Sequence, residues 1–247
     1  MKKLLFAFCL LFGTQAHSEP LQLPFSDENL IEGVFPVSEI SSKVEMQVRN
    51  AAVRVLSIGQ GHGSGSLIRY KGSNFILTAK HVTGNEIGKL FLITHGNEAM
   101  PGVLIYADPV YDIAIVYPVA DLQNAKPIRY SPRKKQMNVG EEITYSGFPS
   151  THEIMTFRGR VAGYETTGDT GIQIIMHSYG WFGSSGSVVY DDNGDLVGIL
   201  WGVDVEWQPN LQVVGDIIWV QPIQVLDLDN ALVDFCQMTD LKMRVCR

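Results

Sequence analysis

The sequence predicts an all-β protein built in two strand-rich halves, with a helix near its C-terminus. Three observations carry that expectation. Short apolar or alternating segments recur through residues 51–216, separated by Gly, Asn, Asp and Ser clusters that suit turns. Hydrophobic residues make up 45% of 247 positions, enough for one large β domain or two small barrels sharing a core. After Pro222 the apolar spacing changes from strand-like to helix-like.

Residues 1–18 have the layout of a secretory leader. Lys2 and Lys3 give the charged start and residues 4–12 the apolar run. Thr14, Ala16 and Ser18 supply small residues for cleavage after position 16 or 18. A permanent membrane anchor takes about 18–20 apolar residues, and neither this run nor any later one reaches that length. A soluble protein, secreted or periplasmic, is the expectation. Residues 19–43, polar and carrying Pro20, Pro24 and Pro36, are expected to form an extension lying on the fold.

The first half, residues 44–125, offers strands at 51–56, 66–68, 75–78, 90–93, 102–105 and 113–116, with turns at 71–74 and 95–97. The polar stretch 118–136 is the candidate linker. The second half, residues 126–221, offers strands at 142–145, 157–161, 172–176, 188–190, 196–200 and 213–216. Asp192-Asn193-Gly194-Asp195 reads as a tight hairpin turn. In the tail, residues 222–247, Pro222 opens a helical stripe of Ile223, Leu226, Leu228, Leu232, Val233 and Cys236. Cys9 leaves with the leader. Cys236 and Cys246, ten positions apart, are expected to pair in an oxidising compartment. No second cysteine pair or histidine cluster accompanies them, so no metal site is expected.

The formal net charge is −7, and more negative once Lys2 and Lys3 depart. An acidic surface argues against nucleic acid or anionic membrane as a partner. The one basic run, Arg133-Lys134-Lys135, reads as a solvated loop.

The richest chemistry lies in Gly183-Ser184-Ser185-Gly186-Ser187-Val188-Val189, a serine between glycines directly before a β-branched run. Glycines permit backbone conformations and close approaches that other residues resist. A serine held there exposes its hydroxyl and turns its own N–H toward the group that the hydroxyl attacks. Acyl transfer needs that meeting of nucleophile and oxyanion donors at one carbon. The hydroxyl also needs a general base. His17 goes with the leader, and His62, His95 and His152 sit in polar, turn-like surroundings that suit exposed loop histidines. His81 ends the apolar run 75–80, so a buried strand fixes it at a loop mouth. An acid must then orient the imidazole. Asp112, directly before the apolar segment 113–116, is partly desolvated and requires a partner. Asp108 is the competing choice, and is better suited to forming a turn.

Thr78-Ala79-Lys80-His81-Val82, Asp112-Ile113-Ala114-Ile115-Val116 and Gly183-Ser184-Ser185-Gly186-Ser187 resemble the three signatures of trypsin-like (chymotrypsin-fold) serine proteases. Gly63-Ser64-Gly65-Ser66-Leu67-Ile68 resembles the strand ahead of the family histidine. The order His, Asp, Ser is that of this family, whereas α/β hydrolases run Ser, acid, His. The resemblance covers roughly residues 50–225. It implies two six-stranded antiparallel β-barrels with the site between them, His81 and Asp112 from the first and Ser185 from the second. It also implies an oxyanion hole from the N–H groups of Gly183 and Ser185, no cofactor, and a polypeptide as substrate.

The sequence departs from the family at several places. Ser184 replaces the usual Asp or Asn, and no Ile-Val-Gly-Gly start or cysteine beside His81 or Ser185 is found. These departures favour the disulfide-poor bacterial branch that includes Deg/HtrA-like and glutamyl endopeptidases, here without a PDZ domain. Leu200 stands where a serine often supports the buried aspartate. By offset from Ser185, Tyr179 lies at the base of the primary pocket, and Trp201 and Gly202 along its wall. The base carries no acid, which argues against a preference for Lys or Arg. His177 is read as a core histidine, with recognition of an acidic side chain as the alternative. The implied function is an exported serine endopeptidase; the alternative is an inactive trypsin-like domain acting as a binding module.

Overall fold

The computed structural model describes residues 42–57, 59, 61–168, 170–238 and 246. The expected leader at 1–18 and nearly all of the extension at 19–43 lie outside the described residues.

The first six strands are β1 (Ala52–Ser57), β2 (Gly61–Tyr70), β3 (Ser73–Thr78), β4 (Leu90–His95), β5 (Glu98–Ala107) and β6 (Ala114–Pro118). They pair antiparallel in the order β1-β4-β5-β6-β3-β2, and the β1–β2 pairing closes the barrel. A short β7 (Ile128–Arg129), within the candidate linker, adds to β2 in parallel. The second barrel comprises β8 (Glu142–Gly147), β9 (Met155–Thr167), β10 (Gly171–His177), β11 (Val188–Asp191), β12 (Leu196–Gln208) and β13 (Asn210–Pro222). It closes in the order β10-β13-β12-β11-β8-β9. The turn at 192–195 joins β11 to β12 through Asp191, whose carboxylate accepts from the N–H groups of Asn193 and Asp195. Closure leaves neither sheet with a long unpaired edge.

Why the strands read as continuous apolar runs follows from their two faces. Ile76, Ala114 and Val116 fill the first barrel, while Leu77, Ile113 and Ile115 face a separate cluster in the seam. Val189 and Leu200 fill the second barrel, while Tyr190 and Ile199 enter that same seam cluster. Successive side chains point to opposite faces. A strand buried on both sides therefore loses the alternation of a half-exposed one.

Two elements differ from expectation. Residues 43–51 form helix α1 (Lys43–Ala51), so a helix stands where the extension was expected to meet a first strand at 51. Ser42 caps it and Glu45 sits in its first turn, while Val48 and Ala51 pack in the seam. Ser42-x-x-Glu45 is a capping-box pattern, the signal that would have identified it. Pro222 ends β13, opposite Gly198, rather than opening a helix. The tail helix is divided into a 3₁₀ turn (Ile223–Val225), α3 (Leu228–Ala231), capped by Asp227, and α4 (Val233–Met238). Ile223, Leu226, Leu228 and Leu232 of the expected stripe point into the seam, joined by Phe235, whereas Val233 of that stripe is exposed. Cys236 and Cys246 form a disulfide.

Candidate active site

His81 lies in α2 (Lys80–Thr83), a single helical turn entered directly from β3 through the buried Ala79. Its Nδ1 is 2.6 Å from Asp112 Oδ2, and its backbone N–H donates to Asp112 Oδ1 at 2.8 Å. One carboxylate thus fixes both the ring and the main chain that carries it. The acid is shielded, its side chain 18% exposed against 47% for the imidazole. A carboxylate accepts, so Nδ1 carries the proton and Nε2 is left with its lone pair. Asp108 has the other role: its side chain accepts from Val110 N–H, Tyr111 N–H and Tyr106 Oη, which builds the turn before Asp112.

The serine loop is anchored across the seam by Ser64 of β2. Ser64 Oγ donates to Gly183 O at 2.7 Å and accepts from Phe148 N at 2.9 Å, while Ser64 N donates to Ser185 O at 2.7 Å. Gly186, at φ +89°, packs so closely on this strand that a Cβ would lie 2.1 Å from Ser64 O and 3.0 Å from Ala79 N. Gly183, at φ +94°, is confined in the same way by Phe148 O and the ring of His62. Only glycine meets both demands. The histidine turn is adjacent, since a Cβ on Gly63 would touch both Val82 and Ser185 O.

Within the loop, the N–H groups of Ser184, Gly186 and Ser187 donate to the carbonyls of Trp181, Leu200 and Ser184. Those of Gly183 and Ser185 are the pair with no acceptor among the described residues. Ser185 Oγ lies 3.5 Å from Trp201 O and donates there rather than to His81. Leu200 is buried inside the second barrel and offers Asp112 no hydroxyl.

Of the three pocket positions, Tyr179 follows the end of β10, and Trp201 and Gly202 lie in β12. Tyr179 is 45% exposed, its ring 5.2 Å from Phe157 in a ladder that continues to Tyr145. Tyr145 Oη donates to the Tyr179 carbonyl, and burial raises its phenol far above the ordinary tyrosine range. Trp201 stands beside Trp219 and donates from Nε1 to Gln173 Oε1 at 2.9 Å. Gly202 pairs with Trp219 across the β12–β13 ladder. Tyr179 borders a cavity with Arg158, Arg160, His177 and Asp216, whereas Trp201 borders a different one with His81 and Asp112.

Three histidines are not where the sequence suggested, and one is His95, which ends β4 half-buried with Nδ1 2.8 Å from Ala52 O instead of lying exposed in a loop. His177 is exposed at the end of β10, 4.0 Å from Asp216, and is not a core residue. Gln173, one face and four positions earlier on that strand, is the buried polar group instead. His62 is half-buried in β2, with Nε2 3.0 Å from Phe148 O, rather than exposed in a loop. His62, Ser64, Gln173 and Gln221 border the site without having been singled out. Of these, Ser64 had a signal, as the only polar side chain in Gly63-Ser64-Gly65.

A model of the trypsin-like peptidase domain matches residues 63–199. No curated protein matches the chain. Among solved structures it is similar to an inactive-form variant of the protein Rv3671c from M. tuberculosis H37Rv. That likeness has 15% identity and a TM-score of 0.61, covering 82% of this chain and 94% of the other. It is similar also to the HtrA-type protease AlgW with tripeptide, at 18% identity and TM-score 0.62, over 78% of this chain and 63% of AlgW. A third likeness is to a serine endoprotease from Yersinia pestis, at 20% identity and TM-score 0.57, over 74% and 62%. At these identities the structural likenesses speak for the fold; the family match spans the histidine, aspartate and serine segments together. This chain belongs to the trypsin-like peptidase family, a family of serine endopeptidases.

Proposed function

We propose that the chain is an exported serine endopeptidase that hydrolyses peptide bonds through an acyl-enzyme, with Ser185 as nucleophile, His81 as base and Asp112 as the orienting acid. The bond between His81 Nδ1 and Asp112 carries this reading. It leaves Nε2 as the proton acceptor and stabilises the imidazolium that forms. Ser185 Oγ turns from Trp201 O toward the imidazole and attacks the scissile carbonyl as its proton passes to Nε2. The carbonyl oxygen gains the electron pair and is held by the N–H groups of Gly183 and Ser185, a pair worth about 3 kcal/mol of barrier per donor. Collapse of the tetrahedral species expels the amine, which takes the proton from His81. Water, deprotonated by the same imidazole, then releases the acid and restores Ser185.

In this reading Trp201, which borders the cavity that holds His81 and Asp112, lies by the primary pocket with its neighbour Gly202, whereas Tyr179 borders a separate cavity. The lack of an acid there disfavours Lys and Arg, and the aromatic rims favour small side chains. Export is supported by the leader-like layout of residues 1–18 and by the Cys236–Cys246 disulfide.

A fluorophosphonate probe on the folded mature protein tests the assignment. Labelling at Ser185, abolished by Ser185→Ala and by His81→Ala, is the expected result. An unlabelled Ser185 in folded protein would assign the domain to binding without turnover.

A further inference from the structure

Among the described residues, two that are not glycine have a positive φ, Lys71 at +46° and Ser150 at +52°. Lys71 occupies the two-residue turn between β2 and β3, where the twist of a hairpin calls for that conformation. Ser150 has no such reason. It lies in the longer connection from β8 to β9, in a conformation that a side chain makes costly. Such a conformation persists where the surroundings impose it. Here the surroundings are contacts with the first barrel on both sides of Ser150. Phe148 N–H donates to Ser64 Oγ at 2.9 Å, Phe148 O lies 3.0 Å from His62 Nε2, and His152 O accepts from Arg54 Nη2 at 2.7 Å. The Arg54 guanidinium also covers the Phe148 ring, 4.8 Å from its centre.

What the conformation delivers is one backbone donor. Ser150 N–H donates to Phe182 O at 2.6 Å. A peptide unit is planar and trans, so its carbonyl and its N–H point in opposite directions. Drawing the Phe182 carbonyl to Ser150 therefore turns the N–H of Gly183 the other way. That N–H is one of the two in the serine loop with no acceptor among the described residues. The next peptide is fixed likewise, since Gly183 O accepts from Ser64 Oγ at 2.7 Å. The two segments are in close contact: a Cβ on Gly183 would lie 2.5 Å from Phe148 O and 3.2 Å from Ser150 N.

We propose that Ser150 is a positioning residue. Held in a left-handed conformation by the first barrel, its N–H sets the Phe182–Gly183 peptide and so aims the Gly183 N–H at the oxyanion of the transition state. Without that bond the peptide turns over, which removes a donor and puts the Phe182 carbonyl, an acceptor, in its place. Donors of this kind act because they are fixed before charge develops.

The inference rests on the assignment of Ser185 and His81 above, and its test keeps the two separable. Ser150→Gly keeps the N–H and adopts the conformation freely. Ser150→Val is resisted at positive φ by its branched side chain, and Ser150→Pro lacks both the N–H and the conformation. The rate of fluorophosphonate labelling is expected to stay within about twofold of native in the Gly variant and to fall at least about tenfold in the Val and Pro variants, as one oxyanion donor is lost. The pH at which the rate half-rises is expected to stay in place, because the His81–Asp112 bond is untouched. A half-rise that moves with the rate would show a general loosening around the triad and overturn the proposal. Crystal structures of the three variants read the peptide itself, whether or not the serine is labelled. A Phe182–Gly183 peptide that keeps its native orientation in the Val and Pro variants overturns the proposal, as does a turned peptide with a native labelling rate. If the Pro variant does not fold, the Val variant decides by the same two readings. If native protein is never labelled, a turned peptide in the variants removes only the turnover, and an unturned one removes the positioning as well.

Discussion

Ser64 is fully buried and holds three separate parts of the chain. Its hydroxyl links Phe148 to Gly183, its N–H holds Ser185, and its carbonyl accepts from Thr78 Oγ1 at 2.7 Å. Ser64→Ala leaves the Phe148 N–H and the Gly183 carbonyl without that partner, at roughly 1–3 kcal/mol for each buried group. The expected outcome is a melting temperature lower by several degrees and slower fluorophosphonate labelling of Ser185, with the His81–Asp112 bond untouched. An unchanged melt and labelling rate would show that the serine loop holds itself. At this scale, His81, Asp112 and Ser185 stood out in the sequence because each borders an apolar strand, and the structure joins His81 to Asp112. The choice of Asp112 over Asp108 was legible for the same reason. His62, Gln173 and Gln221 were not, since their roles come from partners 86, 28 and 48 positions away. Gln221 also sits in a run, Trp219-Val220-Gln221-Pro222, whose period gives no reason to expect a carboxamide facing the seam.

Among the elements, the strands were the most readable, because turn residues bounded each apolar segment. Helix α1 was hidden by its polar composition, and the tail helix was read as one piece because its seam-facing stripe continues across two breaks. The tail is tied to the first barrel by α3, where Asp229 accepts from Lys71 Nζ at 2.6 Å and Tyr70 Oη at 2.8 Å. Those bonds, the lysine's first, hold the Asp229 carboxyl below the usual range. A depressed carboxyl contributes stability that is fully present above the unfolded value, about 4, and is lost as pH falls through the lower folded value. Amide exchange in α3 is therefore expected to quicken relative to the barrels between pH 6 and pH 3. In Asp229→Asn protein that difference should vanish; if it persists, the tail is held by the seam contacts alone.

Across the whole molecule, two closed barrels and the tail meet in one apolar cluster; Tyr106, Tyr130 and Tyr190 belong to that cluster and Tyr145 to the core of the second barrel. Burial raises the phenols of Tyr106, Tyr145 and Tyr190, and pushes that of Tyr130 up to about 12. A raised phenol favours the neutral form in the fold. Its contribution is complete below the unfolded value, about 10, and is lost as pH climbs toward the folded one. Alkaline titration is expected to ionise the phenols of Tyr106, Tyr130, Tyr145 and Tyr190 above the ordinary tyrosine range, together with loss of near-ultraviolet circular dichroism. A single reversible titration of all nine tyrosines near pH 10 would contradict this.

The loop that carries Ser185, the proposed nucleophile, belongs to one barrel, while the serine that clasps it belongs to the other. A slight parting of the barrels, with both sheets intact, is enough to dismantle the place where charge develops. In a urea series, function should therefore fade before far-ultraviolet ellipticity does, the chemistry acting as the most sensitive gauge of how firmly the halves are joined.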